Sequence, residues 1–279
     1  MIKSYSFAGF TLKVHSEMPV SDSGMFRDFI CDNGGEEINV KVIMSSLPEK
    51  CGSLVYENGN QVLYRDGECD YLYTSFPENG VFREYSCRKT FGDTVLLYIY
   101  ECDSLWDSMI MEGLKVPELL LKKGVFTVHC SVINIGGEAV IFSADKQMGK
   151  STQAALWEKY RNAEIINGDR AALKVCDGKV IVCGIPFCGS SKIAVNKSLE
   201  LKAIVFLGKS LVNSVFQLDT LNGFFNFLGK LTYETGDSTQ MEKAVDFAKY
   251  ISENVPLLRL SCLPDESAVI TLEEALCQI

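Results

Sequence analysis

The chain has 279 residues, 47% of them hydrophobic, and a net charge of −9. That length suits two domains of roughly 100–200 residues each, and the apolar fraction excludes a disordered chain. The acidic balance, with no Lys/Arg run, argues against nucleic acid and anionic membranes as partners. No apolar stretch approaches the ~20 residues of a membrane span. The opening MIKSYSFAGF lacks the apolar core of a secretory signal, so a cytoplasmic location is expected. The eleven cysteines are scattered without a C-x-x-C pair, and the histidines are His15 and His129 alone. A structural zinc site is therefore not expected. The cysteines read as small core residues, with Cys130 and Cys188 as candidates for a reactive thiol.

The first hundred residues read as strands and turns. FTLKV, INVKVIM, QVLYR, YLYTSF, VFREYSC and VLLYIY are rich in β-branched and aromatic residues with partial alternation. The pairs Asn33-Gly34, Asn58-Gly59, Asp66-Gly67 and Asn79-Gly80 supply hairpin turns. A mostly antiparallel, β-rich N-terminal domain is expected over 1–102. Residues 103–124 form a helical connection, with a break near Pro117. No Pro/Ser/Gly-rich linker separates this part from the rest.

From 125 to 279 the elements alternate. One strand is expected at about 125–134, turning at Gly136-Gly137 into another at 138–143, then a helix to about Arg161 with Leu156, Trp157 and Tyr160 on one face. AEIIN is a strand, and AALKV and KVIVC form a hairpin about Asp177-Gly178. LKAIVFL is a strand, followed by two helices. The second of these opens on a capping box, Thr239 with Glu242, and has Met241, Ala244, Val245, Ala248 and Ile251 as its apolar face. PLLRL is a strand, and a last helix is capped by Thr271 and Glu274.

The stretch AVIFSADKQMGKST carries the chemistry. A strand, a short loop and a helix start can aim successive N–H groups at a phosphate, and the helix end adds about half a positive charge. The strand would be Ala139–Ser143 and the loop Ala144–Met148, with Asp145, Lys146, Gln147, Met148 and Gly149 opening the nucleotide-binding set. Lys150 would reach phosphate oxygens, Ser151 would offer a hydroxyl to Mg²⁺, and Thr152 follows in the helix. Where such loops usually open with glycine this chain has Ala144, which costs about 1 kcal/mol or more if the position needs positive φ and little if it is extended. The tripeptide recurs as Gly208-Lys209-Ser210, directly after a strand, where it reads as a turn. Ser143-x-x-Lys146 matches the S-x-x-K of serine acyl-enzymes without its supporting motifs. Asp169, just after the next strand, is a candidate metal ligand or base, or else a turn residue beside Gly168. His129, on the strand before the loop, is a core residue unless the phosphates lie beside it. Glycine hairpins on both sides of the loop imply a mixed sheet rather than the parallel sheet of common phosphate-loop enzymes.

VHCSVINIGGEAVIFSADKQMGKST, IINGDRAAL and GIPFCGSSKIAVNKSLELKAIVFL together resemble the catalytic domain of HPr kinase/phosphorylase. They resemble more closely the HPr-kinase-like proteins of peptide-modification clusters. The resemblance covers roughly Phe126 to Leu276. It implies an α+β fold shared with phosphoenolpyruvate carboxykinase: a mixed sheet with a phosphate loop, behind a β-rich N-terminal domain. It implies ATP and Mg²⁺ as cofactors, His129 beside the transferred phosphate, Lys150 on phosphate and Ser151 with Asp169 on the metal. The family's pair of aspartates aligns with Gly168-Asp169, so one acid is missing. The family's Glu-Arg-Gly-type signature is replaced by CGIPFCGSSK, which argues against HPr as substrate and against the reverse reaction. Gly189, Ser190, Ser191 and Lys192, with Arg170 beside them, could instead form an acceptor-side anion site or be a surface turn.

The leading expectation is a kinase that transfers the γ-phosphoryl group of ATP to a hydroxyl of a peptide, protein or small molecule, with Asp169, His129 and Lys150 as catalytic residues and a homo-oligomer as one possible assembly. The rival is a non-catalytic nucleotide- or peptide-binding module. A carboxykinase-like enzyme comes third, because the chain shows no arginine-rich carboxylate site.

Overall fold

A computed structural model describes residues 1–31, 35–78 and 80–279, with the backbone alone at Ser190. Asn33-Gly34 and Asn79 lie outside the described residues. The chain is an α+β protein with six α-helices among the described residues, and it divides into two compact units. The first comprises Met1–Leu119 with Glu234–Ser238, the second Leu120–Tyr233 with Thr239–Ile279. Among the described residues no helix is long and apolar enough to cross a membrane.

The first unit carries β1 (Ile2–Phe7), β2 (Phe10–His15), β3 (Val20–Ser21), β4 (Glu36–Met44) and β5 (Ser53–Asn58). These are followed by β6 (Gln61–Asp66), β7 (Cys69–Glu78), β8 (Val81–Phe91), β9 (Thr94–Ile99) and β10 (Leu105–Trp106). Eight of these strands form one sheet in the order β1-β2-β4-β9-β8-β7-β6-β5. Five of its seven strand pairs are antiparallel, as expected of a mostly antiparallel sheet, and β4 is the exception, parallel to both β2 and β9. Hairpin motifs reveal neighbours in sequence; they are silent on strands that meet after a crossover. β4 shows why the sheet has a dry face: Ile38, Val40 and Val42 are buried while Glu37, Asn39 and Lys41 are exposed.

Helix α1 (Asp107–Leu114) packs on β7, β8 and β9. The break between helices falls at Lys115, which is left-handed (φ 47°), and α2 (Val116–Lys122) begins immediately. Pro117 sits in the first turn of α2, where its missing N–H costs no helical bond. The core of this unit holds a buried charge pair. Arg88, with no exposed surface, donates to Leu114 O at 2.6 Å and to Glu118 Oε1 at 2.5 Å, and Tyr56 Oη donates to Glu118 Oε2 at 3.0 Å.

The second unit is a three-layer sandwich. Its strands are β11 (Phe126–His129), β12 (Ser131–Ile135), β13 (Glu138–Ser143), β14 (Glu164–Asn167) and β15 (Arg170–Cys176). After them come β16 (Lys179–Gly184), β17 (Ser198–Lys209), β18 (Ser214–Gln217) and β19 (Leu257–Cys262). The order is β11-β15-β16-β17-β13-β12-β14, with β19 joined to β17 and β18 outside it. β13 and β19 are parallel to β17, and the remaining pairs are antiparallel, so the sheet is mixed as the flanking hairpins implied. Gly136-Gly137 and Asp177-Gly178 are two-residue turns with positive φ throughout.

Helices α3 (Lys150–Arg161) and α6 (Glu266–Leu276) cover one face; α4 (Thr220–Leu228) and α5 (Ser238–Asn254) lie towards the other. Val140 and Phe142 of β13 pack with Trp157 and Leu272, while Ala139 and Ile141 pack with Phe247 and Ala248. A strand covered on both faces has no polar side, which is why the sequence there reads as the unbroken run AVIF.

Several local expectations are corrected. The stretch expected as one strand at 125–134 is two, parting at Cys130, because β11 pairs with β15 whereas β12 pairs with β13 and β14. Gly208 and Lys209 are the end of β17 rather than a turn, since β19 continues alongside them. Ser238 precedes Thr239 as the first residue of α5, whose buried face includes Phe247 while Met241 is exposed. Asp265, accepting from Ser267 N at 3.0 Å, caps α6, and Thr271 lies inside that helix. β1, β3, β5, β10 and β18 had no expected counterpart, β10 falling within the stretch expected to be helical.

The buried pair gives a stability test. Arg88→Met leaves the buried Glu118 carboxylate with Lys115, 3.8 Å away, as its nearest cation in place of the direct Arg88 bond, which is expected to cost up to about 3–5 kcal/mol. Urea unfolding followed by circular dichroism measures this, and a loss below about 1 kcal/mol would contradict the role assigned to the pair.

Candidate phosphate-binding site

The site stands at one end of the second unit's sheet, where β11, β13 and β14 stop. β13 delivers Ser143 and then Ala144, both buried. Ala144 is absent from the positive-φ residues, so its methyl costs the backbone nothing. The left-handed positions of the loop are Gln147 (φ 66°) and Gly149 (φ 103°). Gly149 is the N-cap of α3, with no side chain capping the helix. The first helical bond runs from Gln153 N to Gly149 O at 2.9 Å. The N–H groups of Lys150, Ser151 and Thr152 therefore have no intrahelical acceptor. Within the loop, Met148 N donates to Asp145 O at 3.3 Å. Lys150 is buried and donates from Nζ to Ala144 O at 3.1 Å, tying the loop's two ends together. Burial holds its ammonium pKa below the ordinary lysine value, a pull that nearby Asp169 opposes.

Asp169 and His129 reach the same place by backbone stitching. Asn167, fully buried, accepts from Asp169 N and Arg170 N at 3.0 Å each through its Oδ1, and donates to Ile185 O at 2.7 Å. Cys130 N donates to Asp169 O at 2.9 Å, and Ser131 Oγ donates to Gly168 O at 3.2 Å. Ser143 Oγ donates to His129 O at 3.1 Å. That last bond removes Ser143 from the S-x-x-K reading, because its hydroxyl is buried and used structurally. His129 Nε2 lies 3.5 Å from Asp169 Oδ1, and Arg170 Nε lies 3.6 Å from Asp169 Oδ2. Burial and the charges of Lys150, Arg170 and Lys230 hold the His129 pKa below its ordinary value despite Asp169, so the ring is neutral at pH 7.

The expected residues fall into three groups. Lys150, His129, Asp169 and Arg170 are linked by these contacts and electrostatic couplings. Asp145, Lys146, Gln147, Ser151 and Thr152 are exposed around the loop. Gly189 and Ser191 belong to a 3-10 turn that closes over Gly168-Asp169, with Lys192 just after it in a left-handed conformation. A Cβ on Gly189 would stand 2.7 Å from Asp169 Cγ, and one on Gly168 would stand 2.3 Å from Ser191 Oγ. The turn is thus packed against the acid rather than free on the surface. The space for a second acid at 168 is occupied by Ser191. For Ser190 the side chain lies outside the described residues. Cys130 is no reactive thiol: burial pushes its pKa up to about 12. Cys188 is buried.

Sequence reasoning missed Lys230. It follows α4 and is carried to the site by backbone pairing with β11: His129 N donates to Lys230 O at 3.1 Å, and Thr232 N donates to Thr127 O at 2.8 Å. Its ammonium pairs with the carboxylate of Asp145, 85 residues away in sequence. Nothing local in FLGKLT marks it. Also missed was a cavity of about 460 Å³ beside the loop. Met148, Gly149, Gly208, Leu211, Leu263 and Pro264 are among its lining residues. Gln153 lies in its wall, 2% exposed, donating to Cys262 Sγ at 3.2 Å and leaving Oε1 buried without a partner.

As for metals, no cluster of three or more His, Cys, Asp or Glu suited to a metal ion occurs among the described residues. The donor set here is one carboxylate, Asp169, and one exposed hydroxyl, Ser151. That set fits a magnesium ion that brings phosphate oxygens and water with it, and does not fit a cation held by protein alone.

No protein-family model matches the chain, and no curated protein matches it. Among solved structures, the HPr(Ser) kinase/phosphatase from Coxiella burnetii is similar at a TM-score of 0.34 and 14% identity. The match covers 55% of this chain and 97% of that one. A likeness that distant carries no argument about individual residues, so the site rests on the geometry above.

Two outcomes are expected. Gly168→Asp should lower Tm, because the new side chain meets Ser191. Pairing it with Ser191→Gly should recover part of the loss, and equal Tm values for parent and Gly168→Asp would refute the packing account. His129 has a folded pKa below its unfolded value, so its contribution is present above the unfolded pKa and is lost as pH falls through the folded one. Between pH 7.5 and 5, the parent should therefore lose more Tm than His129→Gln; parallel pH profiles would count against a depressed His129 pKa.

Proposed function

We propose that the chain is a nucleotide-dependent phosphotransferase, with loop 144–151 as the seat of the ATP phosphates and a hydroxyl of a peptide, protein or small molecule as the acceptor. The observation that carries this reading is the convergence at one sheet end of an uncapped helix start, a buried lysine and the His129–Asp169 pair. Lys150, Lys230, Arg170 and Lys146 outnumber Asp145 and Asp169 there, in a chain whose net charge is −9. A local cationic site on an acidic protein suits an anionic ligand.

In this reading the α3 amides and Lys150 hold the β- and γ-phosphates, and the base lies in the cavity beside Met148 and Leu263. Ser151 and Asp169 would hold Mg²⁺, which supplies charge neutralisation on the phosphate oxygens. Asp169 accepts the proton of the acceptor hydroxyl as the new P–O bond forms and the bond to the β-phosphate oxygen breaks, leaving ADP. His129, neutral and adjacent, orients the Asp169 carboxylate. The Gly189–Lys192 turn and Arg170 border the acceptor side.

A specific observation favours a second reading, a nucleotide-binding module without turnover. A single acid stands at 168–169, and Ser191 fills the place of another. One acid must then serve both metal and proton.

Thermal denaturation with Mg-ATP separates the possibilities. At a ligand concentration of 100 Kd, binding adds about 2.7 kcal/mol, which raises Tm by several degrees at about 2–4 °C per kcal/mol. The shift is expected in the parent and in Asp169→Asn, and not in Lys150→Ala. Phosphoryl transfer to acceptor mixtures is expected in the parent and lost in Asp169→Asn. A shift without turnover in any acceptor supports the binding module, and no shift in the parent refutes both.

A further inference from the structure

Lys230 is a cation with an unusual combination of a fixed base and a loose partner. Its main chain is pinned: His129 N donates to its carbonyl at 3.1 Å, its own N–H donates to Phe227 O at 2.9 Å, and the next residue bridges Val128. Its side chain is 20% exposed, and its charge is felt by both Lys150 and His129, pushing the pKa of each down. The partner is different in kind. Asp145 lies in the loop with its side chain 82% exposed, and the ammonium of Lys230 is the main cause of its lowered pKa. A well-placed lysine is thus neutralised by the one acid of a loop whose other features suit an anion. An ion pair this exposed is a weak contributor to stability, so holding the fold together is a poor account of it.

We propose that Asp145 is a built-in stand-in for phosphate: it occupies Lys230 while the loop is empty, and an incoming polyphosphate displaces it and takes Lys230 as a direct ligand. This rests on the phosphate-loop reading above and goes beyond it by adding a cation distant in sequence and a competing internal anion. The exchange is favourable because a polyphosphate carries more charge than one carboxylate and presents several oxygens to Lys150, Lys230 and the helix amides together. Breaking the Asp145–Lys230 pair sets a threshold, so ligands with a single phosphate displace it poorly. The device therefore discriminates by phosphate count.

The test uses the full chain and titration calorimetry with Mg-ADP and with inorganic tripolyphosphate, on the parent, Asp145→Asn, Lys230→Gln, Lys230→Arg and the Asp145→Asn/Lys230→Gln double variant. Asp145→Asn is expected to tighten tripolyphosphate binding several-fold. Lys230→Gln is expected to weaken it about tenfold and Lys230→Arg to retain most of it. In the double variant the gain from Asp145→Asn should vanish. The plot of log Kd against log salt should be shallower for Lys230→Gln than for the parent, which a structural role alone would not produce. Unchanged affinity in Lys230→Gln, or an Asp145→Asn gain that persists without Lys230, overturns the inference while leaving the phosphate loop intact. Failure of the parent to bind either ligand overturns both.

Discussion

The candidate site depends on one small piece of stitching: the buried Asn167 side chain and the bond from Cys130 N to Asp169 O. Asn167 Oδ1 accepts from the amides of Asp169 and Arg170, and its Nδ2 donates to Ile185 O. The chain can therefore turn sharply after β14 without leaving buried polar groups unpaired. Cys130, at the point where β11 hands over to β12, completes the join. Without that break, β11 could not pair with β15 while β12 pairs with β14, and His129 would not stand opposite Arg170. Hydrogen bonds that tie down the backbone at the strand ends, from the main chain and from the Asn167, Ser131 and Ser143 side chains, bring the titratable groups together. Such groups can then be charged and half-exposed without the fold relying on them.

The second consequence is electrostatic. Burial holds the pKa of both Lys150 and His129 below their ordinary values, and for His129 the charges of Lys150, Arg170 and Lys230 add to the effect. Each is therefore short of negative charge. A bound anion would favour the charged form of both and so raise both pKa values. The same logic explains why an acidic chain concentrates basic groups at one sheet end, where the helix start adds its own partial charge.

Much of this was legible in the sequence, for identifiable reasons. Gly136-Gly137 and Asp177-Gly178 announced hairpins because few residues accept positive φ, and the apolar run before Ser143 announced a strand, though not that helices cover both of its faces. Gly149-Lys150 was legible because a glycine, a lysine and hydroxyls at a helix start form a short local pattern. The parting of β11 from β12 at Cys130 was not legible, since an apolar run does not say which neighbours its halves choose. Lys230 was invisible for the same reason, its partner being 85 residues away. The parallel pairing of β4 also lies beyond hairpin signals. Ala144 looked like a defect only because the position was assumed to need glycine; its ordinary backbone conformation dissolves the objection.

The contact between Gly168 and Ser191 has an implication for how the chain can change. Two sites 23 residues apart in sequence compete for one volume, so the effect of a larger residue at one depends on what stands at the other. Acquiring a carboxylate at 168 would first require trimming 191, and the reverse order would pass through a strained intermediate. The substitutions are coupled by sterics, and the accessible routes between one-acid and two-acid versions of this site have a direction.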